Sequence, residues 1–261
     1  MTSVRVQDGL LDIIETGTGK PIVLLHSLLA DRAIFDKIVP ALARYQRRVI
    51  VPDLPGFGGS SSAGSTVEGI ADRIAGLFKA LDLGTTADVL GNGFGGFVAS
   101  TLAIRHGAKF DRLVLADTGL GFTPEGKQSF SMMADRVRQS GMEAIVDVAL
   151  KRLFPESFIA ANPGIMAERR SALVKTNPQF FAEACHALAA LDLTAGIGTI
   201  RNPTLVVVGE LDAATPPEMS RALAKALPNA DLIEIPECGH APMAQAPDEF
   251  IKAISKFLDL N

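Results

Sequence analysis

Val89-Leu90-Gly91-Asn92-Gly93-Phe94-Gly95-Gly96-Phe97 is a glycine-dense turn between two apolar runs. Residues 87–90 read as a buried strand, and residues 97–104, mostly small and apolar, read as a buried helix. A strand, a tight glycine turn and a helix serve two kinds of chemistry. One cradles a phosphate at the helix N-terminus, where free N–H groups and the helix dipole favour an anion. The other holds a nucleophile on a sharp, strained turn of G-x-S-x-G spacing. Gly91-x-Gly93-x-x-Gly96 matches the dinucleotide fingerprint letter for letter. The same letters match a nucleophile elbow with Gly93 where the serine should stand.

Outward from that stretch the chain alternates strand and helix. Towards the N-terminus, residues 4–6 and 10–15 flank Asp8-Gly9 and read as an antiparallel hairpin. Residues 22–25 and 48–52 are continuous apolar runs, the mark of strands covered on both faces. The first runs into His26-Ser27-Leu28-Leu29 and the second into Asp53-Leu54-Pro55-Gly56-Phe57-Gly58-Gly59-Ser60, a rigid turn by composition. Helical spacing covers residues 34–44 and 66–81, the latter with Thr66 as N-cap. Towards the C-terminus, residues 112–116 form another buried strand ending at Asp117. Strands at 203–208 and 230–235 then alternate with helices at 217–227 and 247–258. Between them the pattern changes: residues 130–139, 142–154, 163–175 and 178–191 are helical without a strand among them. The expected organisation is an α/β core of residues 1–119 and 200–261, with a mostly parallel sheet and helices on both faces. Residues 120–199 would form an inserted helical lid.

Bulk properties narrow the function classes. Apolar residues make up 48% of the 261, enough for a large core and too many for a disordered chain. The formal net charge of −4, with both signs interspersed and no basic block, argues against nucleic acid or an anionic membrane as partner. The first ten residues hold no apolar signal-like run, and no run approaches the roughly 20 residues that span a bilayer. Two cysteines, Cys185 and Cys238, make no disulfide framework, so a cytoplasmic location is expected. Four histidines without ligand spacing predict no metal site.

The dinucleotide reading has real support, since Asp117 lies about 20 residues past Gly96, where a ribose-binding acid belongs. Against it, two buried strands precede the fingerprint, and the polar loops at the other strand ends go unexplained. The hydrolase reading uses those loops. A serine hydrolase needs a nucleophile, a base, an acid that orients the base, and N–H donors for the oxyanion, in the chain order nucleophile, acid, histidine. Asp212 follows the strand at 203–208 and His240 follows the strand at 230–235, in that order. The amides of Phe94 and Leu28, with Ser27 as an alternative to Leu28, are placed to serve as the oxyanion hole. His26 reads as a structural ring bonded to loop backbone. Asp53 reads as a brace for its own turn, and Asp117 as a loop-capping carboxylate.

Taken together, Leu25-His26-Ser27-Leu28, Val51-Pro52-Asp53-Leu54-Pro55-Gly56-Phe57-Gly58-Gly59-Ser60, the Gly91 to Gly96 turn, Gly209-x-x-Asp212-x-x-Thr215-Pro216 and Gly239-His240 resemble the α/β-hydrolase superfamily. Within it, His26-Ser27-Leu28 and the segment Thr176-Asn177-Pro178-Gln179-Phe180-Phe181-Ala182-Glu183-Ala184-Cys185-His186-Ala187-Leu188 are similar to the 3-oxoadipate enol-lactonase group. The resemblance implies hydrolysis of a small-molecule carboxylic ester or lactone through an acyl-enzyme, without a cofactor. The nucleophile would stand at position 93, His240 would be the base and Asp212 its orienting acid.

The departure is Gly93, which has no Oγ and cannot be acylated. Two accounts stay open. In one, a parent serine at position 93 was replaced by glycine, leaving an impaired, substrate-trapping form. Glycine tolerates the positive φ of an elbow at least as well as serine does. In the other, the chain is a naturally serine-less member that binds a ligand or uses His240 directly as base. The expected substrate contacts are Phe97, Phe122 and Met132, with Phe35, Phe94 and Met133 as further apolar candidates and Arg136 the chosen partner for a substrate carboxylate. Oligomeric state is not legible in the sequence.

Overall fold

The computed structural model describes residues 2–6 and 8–260. In chain order the principal elements are β1 (Thr2–Val6), β2 (Gly9–Thr16), β3 (Lys20–Leu25), α1 (Val39–Arg44), β4 (Arg47–Pro52), α2 (Val67–Ala80), β5 (Asp88–Asn92), α3 (Phe94–His106) and β6 (Leu113–Ala116). Then come α4 (Pro124–Ser140), α5 (Val146–Leu153), α6 (Glu156–Ala161), α7 (Pro163–Val174) and α8 (Pro178–Ala190), followed by β7 (Thr204–Gly209), α9 (Pro217–Ala226), β8 (Ala230–Ile235), α10 (Pro242–Gln245) and α11 (Pro247–Leu258).

The strands form one eight-stranded sheet in the order β1-β2-β4-β3-β5-β6-β7-β8. β1 and β2 pair antiparallel with each other, as does β2 with β4, and every pairing from β4 to β8 is parallel. The apolar runs sit in the middle: every residue of β5, β6 and β7 is buried, as helices around the sheet require. Partly exposed β1 and β8 are the edges.

This order contains a reversal. From β3 the chain passes through α1 to β4 on one side, then returns through α2 to β5 on the other. Parallel sheets bind ligands at such a switch point, beyond the carboxyl ends of the strands, because the diverging connections leave a crevice there. Leu25 and Gly91 are register partners across β3 and β5, so Ser27 and Gly93 lie two residues past the same level on adjacent strands.

The turn from β5 into α3 brings that helix hard against β3. A Cβ on Gly95 would sit 2.0 Å from the Leu25 carbonyl oxygen, so only glycine permits the approach. Local helix signals also act as expected in α2, where the Thr66 side chain accepts from the Gly69 N–H.

Several boundaries differ from the sequence reading. Residues 34–44 are not one helix: a short 3-10 turn at Arg32–Phe35 precedes α1, because Pro40 cannot accept a helix running through from four residues before it. The first hairpin pairs Val6 with Gly9, so Gly9 belongs to β2 and not to the turn, and Gln7 lies outside the described residues. Between β6 and β7, α4 begins at Pro124, well ahead of residue 130, with its N-terminus capped by Thr123. α6 occupies a segment with no expected helix of its own.

Candidate active site

Five loops at the carboxyl ends of β3, β5, β6, β7 and β8 supply the polar groups of the site. β5 ends at Asn92, and Gly93 follows with φ 53° and ψ −115°, a backbone conformation that disfavours L side chains. A Cβ built on Gly93 would lie 2.5 Å from both His240 Nε2 and Ser27 Oγ. The base therefore reaches into the very place where an elbow side chain would begin.

His240 is held from behind. Its Nδ1 lies 2.9 and 3.0 Å from the two carboxylate oxygens of Asp212, with His240 only 3% exposed and Asp212 4%. Asp212 Oδ1 also accepts from the backbone N–H groups of Ala214 and Thr215, at 2.8 and 3.0 Å. The Thr215 hydroxyl lies 2.7 Å from Oδ2. Burial works to raise the Asp212 carboxyl, but the charge and hydrogen bond of His240 and the donors of Thr215 outweigh it and hold the group below its usual range. An ionised, acceptor-only Asp212 requires a proton on Nδ1, so in the neutral form of the ring Nε2 is the lone-pair acceptor. That acceptor faces Ser27 Oγ at 3.1 Å.

Asp117 stands behind this pair at the end of β6, with φ 52°. It accepts from the Gly209 N–H at 2.9 Å and from Asn92 Nδ2 at 3.2 Å, while Asn92 Nδ2 also donates to the His240 carbonyl at 2.9 Å. Asp117 thus ties β5, β6 and β7 together beneath the site. Complete burial, reinforced by the nearby Asp212 charge, drives its carboxyl well above the usual range. Asp117, Asp212 and His240 each offer one ligand-type atom within 4.8 Å of the others, but those atoms are engaged in the hydrogen bonds just described.

The facing loop is rigid for a separate reason. His26 Nε2 accepts from the Leu54 N–H at 3.0 Å, and His26 Nδ1 donates to the Ser27 carbonyl at 2.9 Å, while Phe57 packs edge-on at 5.0 Å. Burial lowers the His26 pKa and keeps the ring neutral, so it acts as a strut between two loops. Asp53 pairs with Arg32 at 3.2 Å, and the Ser60 hydroxyl donates to the Asp53 carbonyl, closing the Pro/Gly turn on itself. The amides of Leu28 and Phe94 find no acceptor among the described residues, and both residues line the chamber above the site. The other first-turn amides of α3 are spent: Gly95 donates to His26, and Gly96 and Phe97 to Gly93. One free amide makes a poor pyrophosphate cradle, which removes the physical basis of the dinucleotide reading.

These features can be set beside known proteins. A model of the alpha/beta hydrolase fold family matches residues 20–247. The chain belongs to that family. A thermophilic esterase from Thermogutta terrifontis, in a malate-bound structure, is 32% identical, with a TM-score of 0.91 and 99% of this chain and 97% of that one covered. The enol-lactonase from Burkholderia xenovorans LB400 is 29% identical at a TM-score of 0.91, covering 99% and 100%. A pimeloyl-acyl-carrier-protein methyl ester esterase of Chromobacterium violaceum is 29% identical over 94% of this chain and 97% of its own. Hydrolases of esters and lactones are thus its relatives along nearly the whole chain. Among the described residues, no helix is long and apolar enough to cross a membrane.

The chamber of this family member is narrow, about 30 Å³, and is bounded by side chains of α4, α5 and α8. Of the expected substrate contacts, Phe97 and Phe122 line it, and Met133 does too. Met132 and Arg136 do not. They sit one helical turn apart on the outer face of α4, with Met132 64% exposed, while Phe130, Ala134 and Val137 form the inner face. Phe35 is wholly buried core and does not reach the chamber. The arginine that does is Arg152 in the last turn of α5, which has no ion-pair partner among the described residues. Its place within the run Leu150-Lys151-Arg152-Leu153-Phe154 gave no signal that separates it from the other arginines. Cys185 and Cys238 are buried thiols, both pushed up to about 12 by burial, and hence unreactive.

Proposed function

We propose that this chain binds a small carboxylic ester or lactone bearing a free carboxylate, under a lid formed by residues 120–199, at a hydrolytic site whose elbow position is Gly93. The observation that carries this reading is the aim of the base. His240 Nε2 lies 2.5 Å from the point where a side chain on residue 93 would start, and its other nitrogen is locked on Asp212.

With a serine at that position, the hydroxyl proton would pass to His240 Nε2 as Oγ attacks the acyl carbon. The amides of Phe94 and Leu28 would hold the oxyanion, each such donor contributing about 3 kcal/mol in the transition state. His240 would then protonate the leaving alcohol, and water would release the acid. Glycine leaves binding, base and oxyanion donors in place and removes acylation at the elbow, as a substrate trap requires. The carboxylate in the proposed ligand is inferred from Arg152, a chamber cation without an ion-pair partner among the described residues, and is in keeping with the malate-bound esterase and the enol-lactonase among the similar structures.

The naturally serine-less account is favoured by a different observation: Ser27 Oγ already lies 3.1 Å from His240 Nε2 in the space a serine would claim. Turnover of short-chain aryl esters and small lactones by the chain and by Gly93→Ser tests the common core of both accounts. Gly93→Ser is expected to raise turnover, and adding His240→Ala to abolish it. Absence of turnover in Gly93→Ser, alongside saturable ligand binding to the chain, would turn the reading into that of a binding protein.

A further inference from the structure

We infer that Ser27 is the nucleophile of this chain, acylated with His240 as its base, in place of the serine missing from the elbow. The inference rests on the reading of the site as an ester or lactone hydrolase and adds which residue carries the acyl group.

Four observations converge on it. Ser27 and Gly93 stand two residues beyond a register pair on neighbouring parallel strands, so the two loops approach the same point from either side of the switch. Ser27 Oγ lies 3.1 Å from His240 Nε2 and lines the chamber. The contact suits the productive direction: with the Nδ1 proton facing the Asp212 carboxylate, Nε2 of the neutral ring accepts and the serine hydroxyl donates. The donors for an oxyanion are also arranged for this exchange of roles. In an elbow enzyme the hole is the amide of the residue after the nucleophile plus one from the facing loop. Counted from Ser27, those are Leu28 and Phe94, two chamber residues whose amides have no acceptor among the described residues.

Gly93 makes this geometry possible. Any Cβ at position 93 would overlap both Ser27 Oγ and His240 Nε2, so the Ser27–His240 contact exists only where the elbow is bare. In the first half-reaction the Ser27 Oγ–H proton moves to His240 Nε2 and Oγ bonds to the acyl carbon. The tetrahedral oxyanion collapses, the acyl–oxygen bond to the leaving alcohol breaks, and that alkoxide takes the proton from His240. In the second, water gives its proton to His240, attacks the acyl carbon, and Ser27 Oγ leaves with the proton returned. No external redox partner or cofactor enters the balance.

The test is covalent labelling of the intact chain with a fluorophosphonate probe, read by intact mass and by fragment mapping, with p-nitrophenyl acetate turnover in parallel. One adduct on Ser27 is expected, absent in Ser27→Ala and in His240→Ala, with turnover falling at least about tenfold in Ser27→Ala. Ser27→Cys keeps a nucleophile beside His240 and is expected to accumulate an acetyl thioester that neutral hydroxylamine releases, which separates loss of the nucleophile from loss of folding. Labelling only in Gly93→Ser, at position 93, overturns the inference and leaves the proposed function standing, as does undiminished turnover in Ser27→Ala. No labelling and no turnover in the chain or in Gly93→Ser overturns both.

Discussion

Placing a serine at position 93 restores an elbow nucleophile and should also destabilise the protein, by an amount the structure sets. The new Cβ starts 2.5 Å from Ser27 Oγ and from His240 Nε2, and 3.0 Å from His240 Cε1. His240 cannot retreat freely, because two carboxylate contacts hold its far side. The Ser27 hydroxyl is the softer obstacle and clears by rotating about χ1, which breaks its hydrogen bond to His240 at a net cost of about 1 kcal/mol. Position 93 also has φ 53° and ψ −115°, and a non-glycine residue held in so sparsely populated a region costs about 1–3 kcal/mol. The sum is about 2–4 kcal/mol, or a melting temperature lower by roughly 5–10 °C for a chain of this size. Thermal unfolding followed by circular dichroism measures it, with aryl-ester turnover recorded on the same samples. Ser27→Gly added to Gly93→Ser removes the softer obstacle and should return part of the loss. The reasoning fails if Gly93→Ser melts at or above the parent temperature, or if Ser27→Gly lowers it further.

Two further outcomes are expected. Arg152→Gln should raise KM for esters carrying a carboxylate by roughly tenfold or more, the value of a lost charge-assisted contact, and leave uncharged esters unchanged. Arg136→Gln, on the outer face of α4, should alter neither, and a steady-state comparison of paired substrates decides the matter. Asp212 has a native pKa below its ordinary 3.8, so its contribution to stability is fully present above 3.8 and is lost as pH falls through the depressed native value. Asp117 has the opposite sign: its pKa is raised, so its contribution is present at low pH and is lost as pH climbs through the raised native value. Melting temperature against pH should therefore fall on the acid side in a manner that Asp212→Asn flattens. An acid limb unchanged in that variant would remove Asp212 as its source.

Much of the site could be read before any coordinates because its residues are announced by local chemistry. Asp212 and His240 each follow a buried apolar run and precede a turn, so their place at strand ends is a matter of neighbours in the chain. The helical block between β6 and β7 shows in the loss of strand-type runs. Selection within a helix was harder. Met132 and Met133 differ by one position, yet about 100° of helix rotation sends one to solvent and the other to the chamber. Which face of α4 turns inward is decided by α8 packing against it, information that no window of α4 contains. Packing between helices likewise decides that Arg152 lines the chamber and Arg136 does not.

By itself the sequence determined the alternation of buried strands and helices, the glycine turn between β5 and α3, and the order in which position 93, Asp212 and His240 are met. These follow from periodicity, from turn chemistry and from the intolerance of tight turns for side chains, all of which act over a few residues. Tertiary structure alone decided what stands in the gap that Gly93 leaves. Ser27 and His240 are 213 residues apart, and only the reversal of strand order between β3 and β5 brings their side chains within 3.1 Å. From sequence, Ser27 reads as no more than a possible backbone donor. A hydroxyl becomes a candidate nucleophile only when a base stands beside it, and proximity across that separation is a property of the folded sheet.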